Sequence, residues 1–166
     1  MIAYSYIERN LNALDVRYRK SKSIKDASFV SKLAILELCG WIEVSLDDCI
    51  ERASVRVLKD SESRKFIQDK IKKNYGFEYE NHFRGMMVNL VGIWGFERIV
   101  RNIDAGVSAN FMSELKSLTV KRNSLAHTYT LGATQHYDAP SSTLGRLINL
   151  KAGFSAFDRE LRRYCT

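Results

Sequence analysis

Apolar residues recur at intervals of three and four along almost the whole chain, and this spacing predicts a bundle of helices. In the first segment, Ile7, Leu11 and Leu14 fall on one face of such a helix. One proline and nine glycines in 166 residues also favour long helices over many short strands with tight turns. The predicted helices span residues 1–20, 26 or 28 to 58, 61–74, 78–103, 108–129, and 141 or 142 to about 164. We therefore expect a single all-α domain, residues 1–166, with about five to six helices and short links.

The second predicted helix is apolar on nearly every side between residues 33 and 46. A helix of this kind lies at the centre of a bundle and has neighbours all round. Gly40 removes side-chain bulk from one face and so would permit close approach of another helix. Glu37 and Glu43 carry the only charges in the run. Glu43 is therefore either an exposed edge residue or a buried acid with a basic partner, because an unpaired buried charge is too costly.

Capping residues and glycines set the expected helix boundaries. The expected starts of the second, third, fifth and last helices are, in chain order, Asp26 or Ser28, Ser61, Ser108, and Ser141 or Ser142. A polar connection over residues 130–142 precedes the last helix. In the fourth predicted helix, Gly92 and Gly95 are placed to divide it into two pieces around Trp94.

The composition is that of a soluble globular protein, with 45% hydrophobic and 27% charged residues. The three cysteines have no CxxC spacing, and Cys39 and Cys49 lie in an apolar helical stretch where a thiol acts as a small hydrophobe. This pattern favours a reducing cytoplasm over secretion. Glu8 and Arg9 interrupt the apolar run that a signal peptide needs, and no segment approaches the roughly 20 apolar residues that span a bilayer.

The balance of charges favours an acidic partner. Lys and Arg number 26 against 19 Asp and Glu, which gives a formal charge of +7. Nucleic acid, an acidic protein and anionic lipid all fit, and so does an ordinary solvated surface. The basic residues group within residues 17–25 and within the third predicted helix. The candidate RNA contacts are Lys72, Lys73, Lys116 and Lys121.

The densest chemistry lies in residues 121–129, on the fifth predicted helix. Arg122 shares a face with Leu118 and Leu125, so its guanidinium must find a carboxylate, a carbonyl or a subunit boundary. Asn123 and His127 are four residues apart and lie together on a flanking face. Arg122 and His127 are separated by about 140° on an ideal helix, a gap that the long arginine side chain or a second subunit can close.

Arginine, asparagine and histidine together are sufficient for RNA cleavage without a metal. Imidazole titrates near neutral pH, so His127 can deprotonate a ribose 2′-OH or protonate the departing 5′-oxygen. Arg122 can bind the scissile phosphate and offset its growing charge, while Asn123 holds either group in position. DNA lacks the 2′-OH and would resist this route.

The run Arg122 to His127 resembles the R-x4-H signature of HEPN domains (higher eukaryotes and prokaryotes nucleotide-binding). The polar residue after the arginine, the small residue before the histidine and the late position in a helical bundle all match. The extension to Tyr129 is similar to the R-x4-H-x-Y form of HEPN toxins paired with nucleotidyltransferase antitoxins. The motif covers nine residues, and the predicted helices agree with a HEPN-like bundle over most of the chain.

The resemblance implies a homodimer whose two motifs face one cleft. It also implies a metal-independent endoribonuclease of a toxin–antitoxin or antiviral defence system, with Arg122 and His127 catalytic and Asn123 in support. Glu43 is similar in position to an acidic residue that some HEPN proteins set beside the motif. Tyr129 would be the residue to which an antitoxin attaches nucleotides, although it also fits as a packed aromatic.

Two other interpretations stay open. The chain could be a non-catalytic HEPN module that binds nucleotide or RNA or docks a partner protein, or a dimerisation domain with an accidental motif. No cofactor is expected, because no glycine-rich phosphate loop of a known type is present. No metal site is expected either, since His82, His127 and His136 lack paired ligand spacing.

Overall fold

The computed structural model describes residues 2–127 and 137–166, and of His127 it describes the backbone alone. Throughout this part of the chain the regular structure is helical, which confirms the all-α prediction, and the six α-helices fall within the predicted number. They are α1 (Ser5–Arg19), α2 (Ile24–Val57), α3 (Ser61–Lys72), α4 (Arg84–Arg101), α5 (Ala105–His127) and α6 (Pro140–Tyr164), with a π-helical turn (Tyr79–Phe83) before α4. None of the described helices is both long and apolar enough to cross a bilayer.

Helix α2 is the centre of the bundle, as its apolar sequence predicts. It contacts each of the other five α-helices, and Leu38, Ile42 and Leu46 on it are fully buried. The expectation of neighbours on every side is nevertheless wrong for one stripe of α2. Phe29 and Val44 are exposed there. The close approach of another helix expected at Gly40 is also absent, since a Cβ at that position would meet open space within the described chain.

A cluster of aromatic rings joins α5 and α6 beneath α2. Phe111 packs edge-on against Phe154 with ring centroids 5.1 Å apart, and Phe83 packs edge-on against Phe157 at 5.2 Å. Gly153 makes this packing feasible, because a Cβ at that position would lie 2.3 Å from the Phe111 ring. The position of α6 against α5 therefore depends on a glycine facing a buried ring.

The predicted caps of α2 and α5 lie a few residues too late, whereas α3 starts at Ser61 as predicted. Helix α2 is capped by Ser23, whose hydroxyl accepts the Asp26 N–H at 3.1 Å, and α3 is capped by Asp60. Helix α5 begins at Ala105, where the carboxylate of Asp104 accepts an N–H of the first turn. In each case a good capping side chain stands upstream and satisfies free N–H groups, so the helix starts there.

The residues predicted to cap α5 and α6 have other positions. Ser108 is buried inside α5. Helix α6 has no side-chain cap and starts at Pro140, ahead of Ser141 and Ser142. Proline suits this first position because its fixed φ is helical and its missing N–H would have lacked a helical partner anyway.

Helix α4 is broken at Gly92, as the sequence predicts. Gly92 has φ 72° and ψ 169°, which is not helical, and glycine adopts such values at little cost. Gly95 does not break the helix; its missing side chain leaves room for the Tyr164 ring of α6, which a Cβ would meet at 2.7 Å. The break leaves Ile93 and Trp94 exposed at the start of the second half of α4.

Candidate functional site

Helix α5 carries Arg122 to the edge of the core. Leu115, Leu118 and Leu125 are buried along one face. Arg122 lies on the same face, and its side chain keeps 34% of its surface exposed. The guanidinium is therefore neither buried with the leucines nor free in solvent, although buried leucines lie before and after it on the same face.

Glu43 of α2 is the partner of Arg122. The Arg122 Nη2 atom donates to Glu43 Oε1 at 3.2 Å, and the Glu43 side chain is 31% exposed. Glu43 thus combines the two interpretations offered by the sequence, because it is partly exposed at the edge of α2 and has a basic partner. The contact fixes the guanidinium at the junction of α2 and α5.

Asn123 completes the contacts of Arg122. Its Oδ1 accepts a hydrogen bond from Arg122 Nη1 at 3.3 Å, and its side chain is exposed. An arginine side chain has five N–H donors. Within the described part of the chain, the bonds to Glu43 and Asn123 use two of them, and the remaining N–H groups are of the kind that a phosphate can accept from.

His127 is the last residue of α5. Its backbone therefore lies about 7.5 Å along the helix axis from that of Arg122 and about 140° around it. The side chain of His127 lies outside the described part of the structure, and so do Tyr129 and His136. The structure thus brings together Arg122, Asn123 and Glu43, and places the backbone of His127 on the same helix.

Asp47 adds a second carboxyl group one turn beyond Glu43 on α2. The pKa of Asp47 is raised to about 6, and burial is the largest cause. A hydrogen bond from Asn74 lowers this pKa, whereas the charges of Glu43 and Glu51 raise it. Its Oδ1 has no hydrogen-bond partner in the described chain. The sequence places Asp47 on the face of Glu43, but its burial comes from tertiary packing that spacing alone does not reveal. Asp47 therefore gains or loses its proton near pH 6. This change of charge takes place one helical turn from the Arg122–Glu43 ion pair.

The lysines proposed as RNA contacts have different surroundings. Lys121 forms an ion pair with Asp138 and lines a cleft of about 290 Å³ beside the motif. Lys116 is exposed on α5 and has no ionic partner in the described chain. Lys72 and Lys73 end α3, next to the Asn74 that bonds Asp47. Lys121 is thus already neutralised, whereas Lys72, Lys73 and Lys116 are exposed and have no ion pair in the described chain.

Cys39 and Cys49 do not provide a nucleophile. Burial raises the pKa of Cys39 and of Cys49 to about 12, so both are neutral thiols at physiological pH. Among the described residues there is also no group of three or more His, Cys, Asp or Glu side chains arranged to hold a metal ion.

Comparisons of this chain with protein-family models, with curated proteins and with solved structures give no match. The evidence for a functional site therefore consists of the residues of the motif and their contacts. Of these, the charged hydrogen-bonded group of Arg122, Glu43 and Asn123 at a helix junction has the most direct chemical use.

Proposed function

We propose that this protein is a metal-independent endoribonuclease of HEPN type, with Arg122 and His127 as its catalytic pair. The observation that carries the proposal is the position of Arg122. It interrupts a helix face that is buried on either side of it, at Leu118 and Leu125. Glu43 and Asn123 hold it there, with His127 on the same helix.

The reaction follows from the chemistry of these groups. His127 takes the proton of a ribose 2′-OH or gives one to the departing 5′-oxygen. A bond forms between the 2′-oxygen and phosphorus, and the bond from phosphorus to the 5′-oxygen breaks, which leaves a 2′,3′-cyclic phosphate. The free N–H groups of Arg122 bind the phosphate oxygens as charge grows on them. Glu43 positions Arg122, and Asn123 orients the guanidinium or the substrate.

A homodimer would complete the site. The exposed stripe of α2, formed by Phe29, Leu33, Gly40 and Val44, ends beside Glu43. An apolar stripe with a glycine in it favours close packing of another helix, and a second copy would bring two motifs to one cleft. This agrees with what the resemblance to HEPN domains implies.

The biological setting is proposed on the resemblance alone. We infer a cytoplasmic effector of a toxin–antitoxin or antiviral defence system, with cellular RNA as substrate. Its partner would be a cognate antitoxin. An antitoxin that is a nucleotidyltransferase would attach nucleotides to Tyr129.

Cleavage of RNA in the presence of EDTA tests the proposal. Wild-type protein is expected to cut total cellular RNA and to leave 2′,3′-cyclic phosphate ends. Arg122→Ala and His127→Ala are each expected to lose about 100-fold or more of the rate, because each removes charge stabilisation or proton transfer in the transition state.

Arg9→Ala is the matched control, since Arg9 is an exposed arginine on α1 and its loss should leave the rate unchanged. Circular dichroism checks that each variant keeps its helices. Full activity of a folded His127→Ala protein would overturn the proposal.

A non-catalytic HEPN module is the second candidate. The observation in its favour is that Glu43 already neutralises Arg122, as in an ordinary structural ion pair. Such a module would bind RNA in a salt-sensitive way and would not cleave it in EDTA or in Mg²⁺. The only effect of Arg122→Ala would then be weaker RNA binding.

A further inference from the structure

A polar groove lies between the second half of α4 and the end of α6, away from the motif. Its larger part has a volume of about 770 Å³ and is lined by Arg98, Ile99, Asn102, Glu160, Arg163 and Tyr164. A smaller part of about 250 Å³ adjoins it, shares Arg98 and Asn102, and adds Trp94, Glu97 and Arg101. We call the two parts together the α4–α6 groove.

The α4–α6 groove has cations that are free to bind a ligand. Arg98 and Arg101 are exposed, and within the described chain neither has a carboxylate partner. The carboxylate of Glu160 on the floor is only 3% exposed and is held by Arg159 and Arg163. The hydrogen bond from Arg159 lowers the pKa of Glu160, so this acid stays ionised and its charge is already matched. A polyanion entering the groove would therefore meet net positive charge.

Trp94 gives the α4–α6 groove an exposed aromatic surface. Its side chain is 70% exposed, because the break at Gly92 separates it from the buried face of the first half of α4. The other tryptophan of the chain, Trp41, packs against Tyr4 and Phe154 and donates its indole N–H to the Ala3 carbonyl. An exposed indole next to unpaired arginines is the combination that binds single-stranded nucleic acid, since bases stack on the ring while the cations hold the phosphates.

We propose that the α4–α6 groove is a binding site for single-stranded RNA, in which Arg98 and Arg101 contact phosphates and a base stacks on Trp94. The choice of RNA as the nucleic acid rests on the proposed function. Helix α5 follows directly after the groove and carries Arg122 seventeen residues from its start, so the two sites are about 25 Å apart along that helix. The groove thus holds a stretch of substrate remote from the scissile bond, and selects strands that extend well beyond the cut.

Binding of a fluorescein-labelled twelve-nucleotide oligouridine to the full-length protein tests this site. The measurements use His127→Ala as the parent protein, so that binding is scored without cleavage. Arg98→Ala combined with Arg101→Ala is expected to weaken binding at low salt and to reduce the slope of log K against log salt by about 1.4, because two phosphate contacts are lost. Trp94→Ala is expected to weaken binding about tenfold with the slope unchanged, since stacking releases no counterions.

Glu97 provides a control in which the affinity for RNA should rise instead of fall. Glu97→Gln removes the exposed carboxylate of the groove and is expected to tighten binding about twofold by removing like-charge repulsion. Arg56→Ala, an exposed arginine on α2, should leave affinity and slope unchanged. The helical circular dichroism signal of every variant should equal that of the parent.

Two results would overturn the inference. One is unchanged affinity and slope in the folded Arg98→Ala, Arg101→Ala double variant. The other is a Trp94→Ala protein that binds RNA normally but loses self-association, which would make this face a contact between copies of the chain. Neither result bears on cleavage at Arg122, and loss of cleavage in Arg122→Ala with normal groove binding would leave this site standing.

Discussion

At the scale of single residues, Arg122 shows how much helical spacing can predict. An arginine among leucines at intervals of three and four must have a partner, and the structure supplies Glu43 at 3.2 Å. Spacing alone does not show whether the partner of Arg122 is a carboxylate, a carbonyl or another subunit. That choice depends on how α2 and α5 cross, which is set by tertiary packing. The orientation of Asn123 towards Arg122 likewise depends on side-chain rotamers that a sequence pattern does not specify.

Asp47 gives a residue-scale prediction about stability and pH. Its folded-state pKa of about 6 lies above the ordinary 3.8, so the folded protein binds this proton more tightly than the unfolded chain does. The contribution to stability is therefore fully present below about pH 4, declines between about pH 4 and 6, and is lost above that. Asp47→Asn should raise the free energy of unfolding at pH 7.5 by about 1 kcal/mol, after allowance for partial solvent screening, and by almost nothing at pH 4.

Urea denaturation at the two pH values measures this difference. Asp48→Asn is the control on the neighbouring position, since its carboxylate is about half exposed and pairs with Arg52. The control should not show the same gain at pH 7.5. Equal effects of Asp47→Asn at both pH values would mean that the Asp47 carboxyl is not perturbed in the folded protein.

At the scale of elements, the sequence specified where helices occur better than where they begin. Apolar periodicity located the cores of all six α-helices, because burial of one face requires that period. The start of α3 at Ser61 is as predicted. The predicted starts of α2 and α5 are wrong because several Ser and Asp residues stand near each one and compete to cap it. The π-helical turn at Tyr79–Phe83 had no signal in the periodicity, since one shifted turn hardly changes the pattern of buried positions.

The packing of α5 on α6 gives a prediction at this scale. Gly153→Ala would place a Cβ 2.3 Å from the buried Phe111 ring, and such overpacking costs about 1–3 kcal/mol. Gly145 is a matched control on the same helix, because a Cβ there meets open space. Gly145→Ala should instead stabilise the protein by about 0.5–1 kcal/mol, as alanine does in helices.

Thermal and chemical denaturation of the two variants should therefore give shifts of opposite sign. If Gly153→Ala were as stable as wild type, the contact between Phe111 and the backbone of α6 would have to be looser than the structure has it.

At the scale of the whole molecule, the apolar sequence of α2 predicts its central position among the helices, but it does not predict the exposed stripe of α2. A helix that is apolar all round predicts neighbours all round, yet Val44 on α2 is 68% exposed. Hydrophobicity indicates that a surface should be covered and does not say whether the same chain or another covers it. The homodimer with its two motifs facing one cleft is what the resemblance to HEPN domains implies, and hydrophobic spacing alone does not place its interface.

The exposed stripe of α2 predicts the oligomeric state. Val44→Glu and Leu33→Glu each put a charge on the stripe and should convert a homodimer to monomers, because an unpaired charge is costly to bury. Val16→Glu is the control, since Val16 is an exposed valine on α1 outside the stripe. Sedimentation equilibrium measures the mass of each protein. A dimer that survives both substitutions must use a different face.

The break in α4 at Gly92 also allows the two halves of this helix to open independently. A residue with φ 72° interrupts the ladder of backbone hydrogen bonds, so α4 consists of two ladders that need not open together. Met86 and Met87 anchor the first in the core, while Phe96 and Ile99 anchor the second. The segment that bears Trp94 can thus unravel and reform as a small cooperative unit of its own. A ligand that immobilises Trp94 would slow amide exchange over residues 93–101 and leave the first ladder, and the bundle behind it, unaltered.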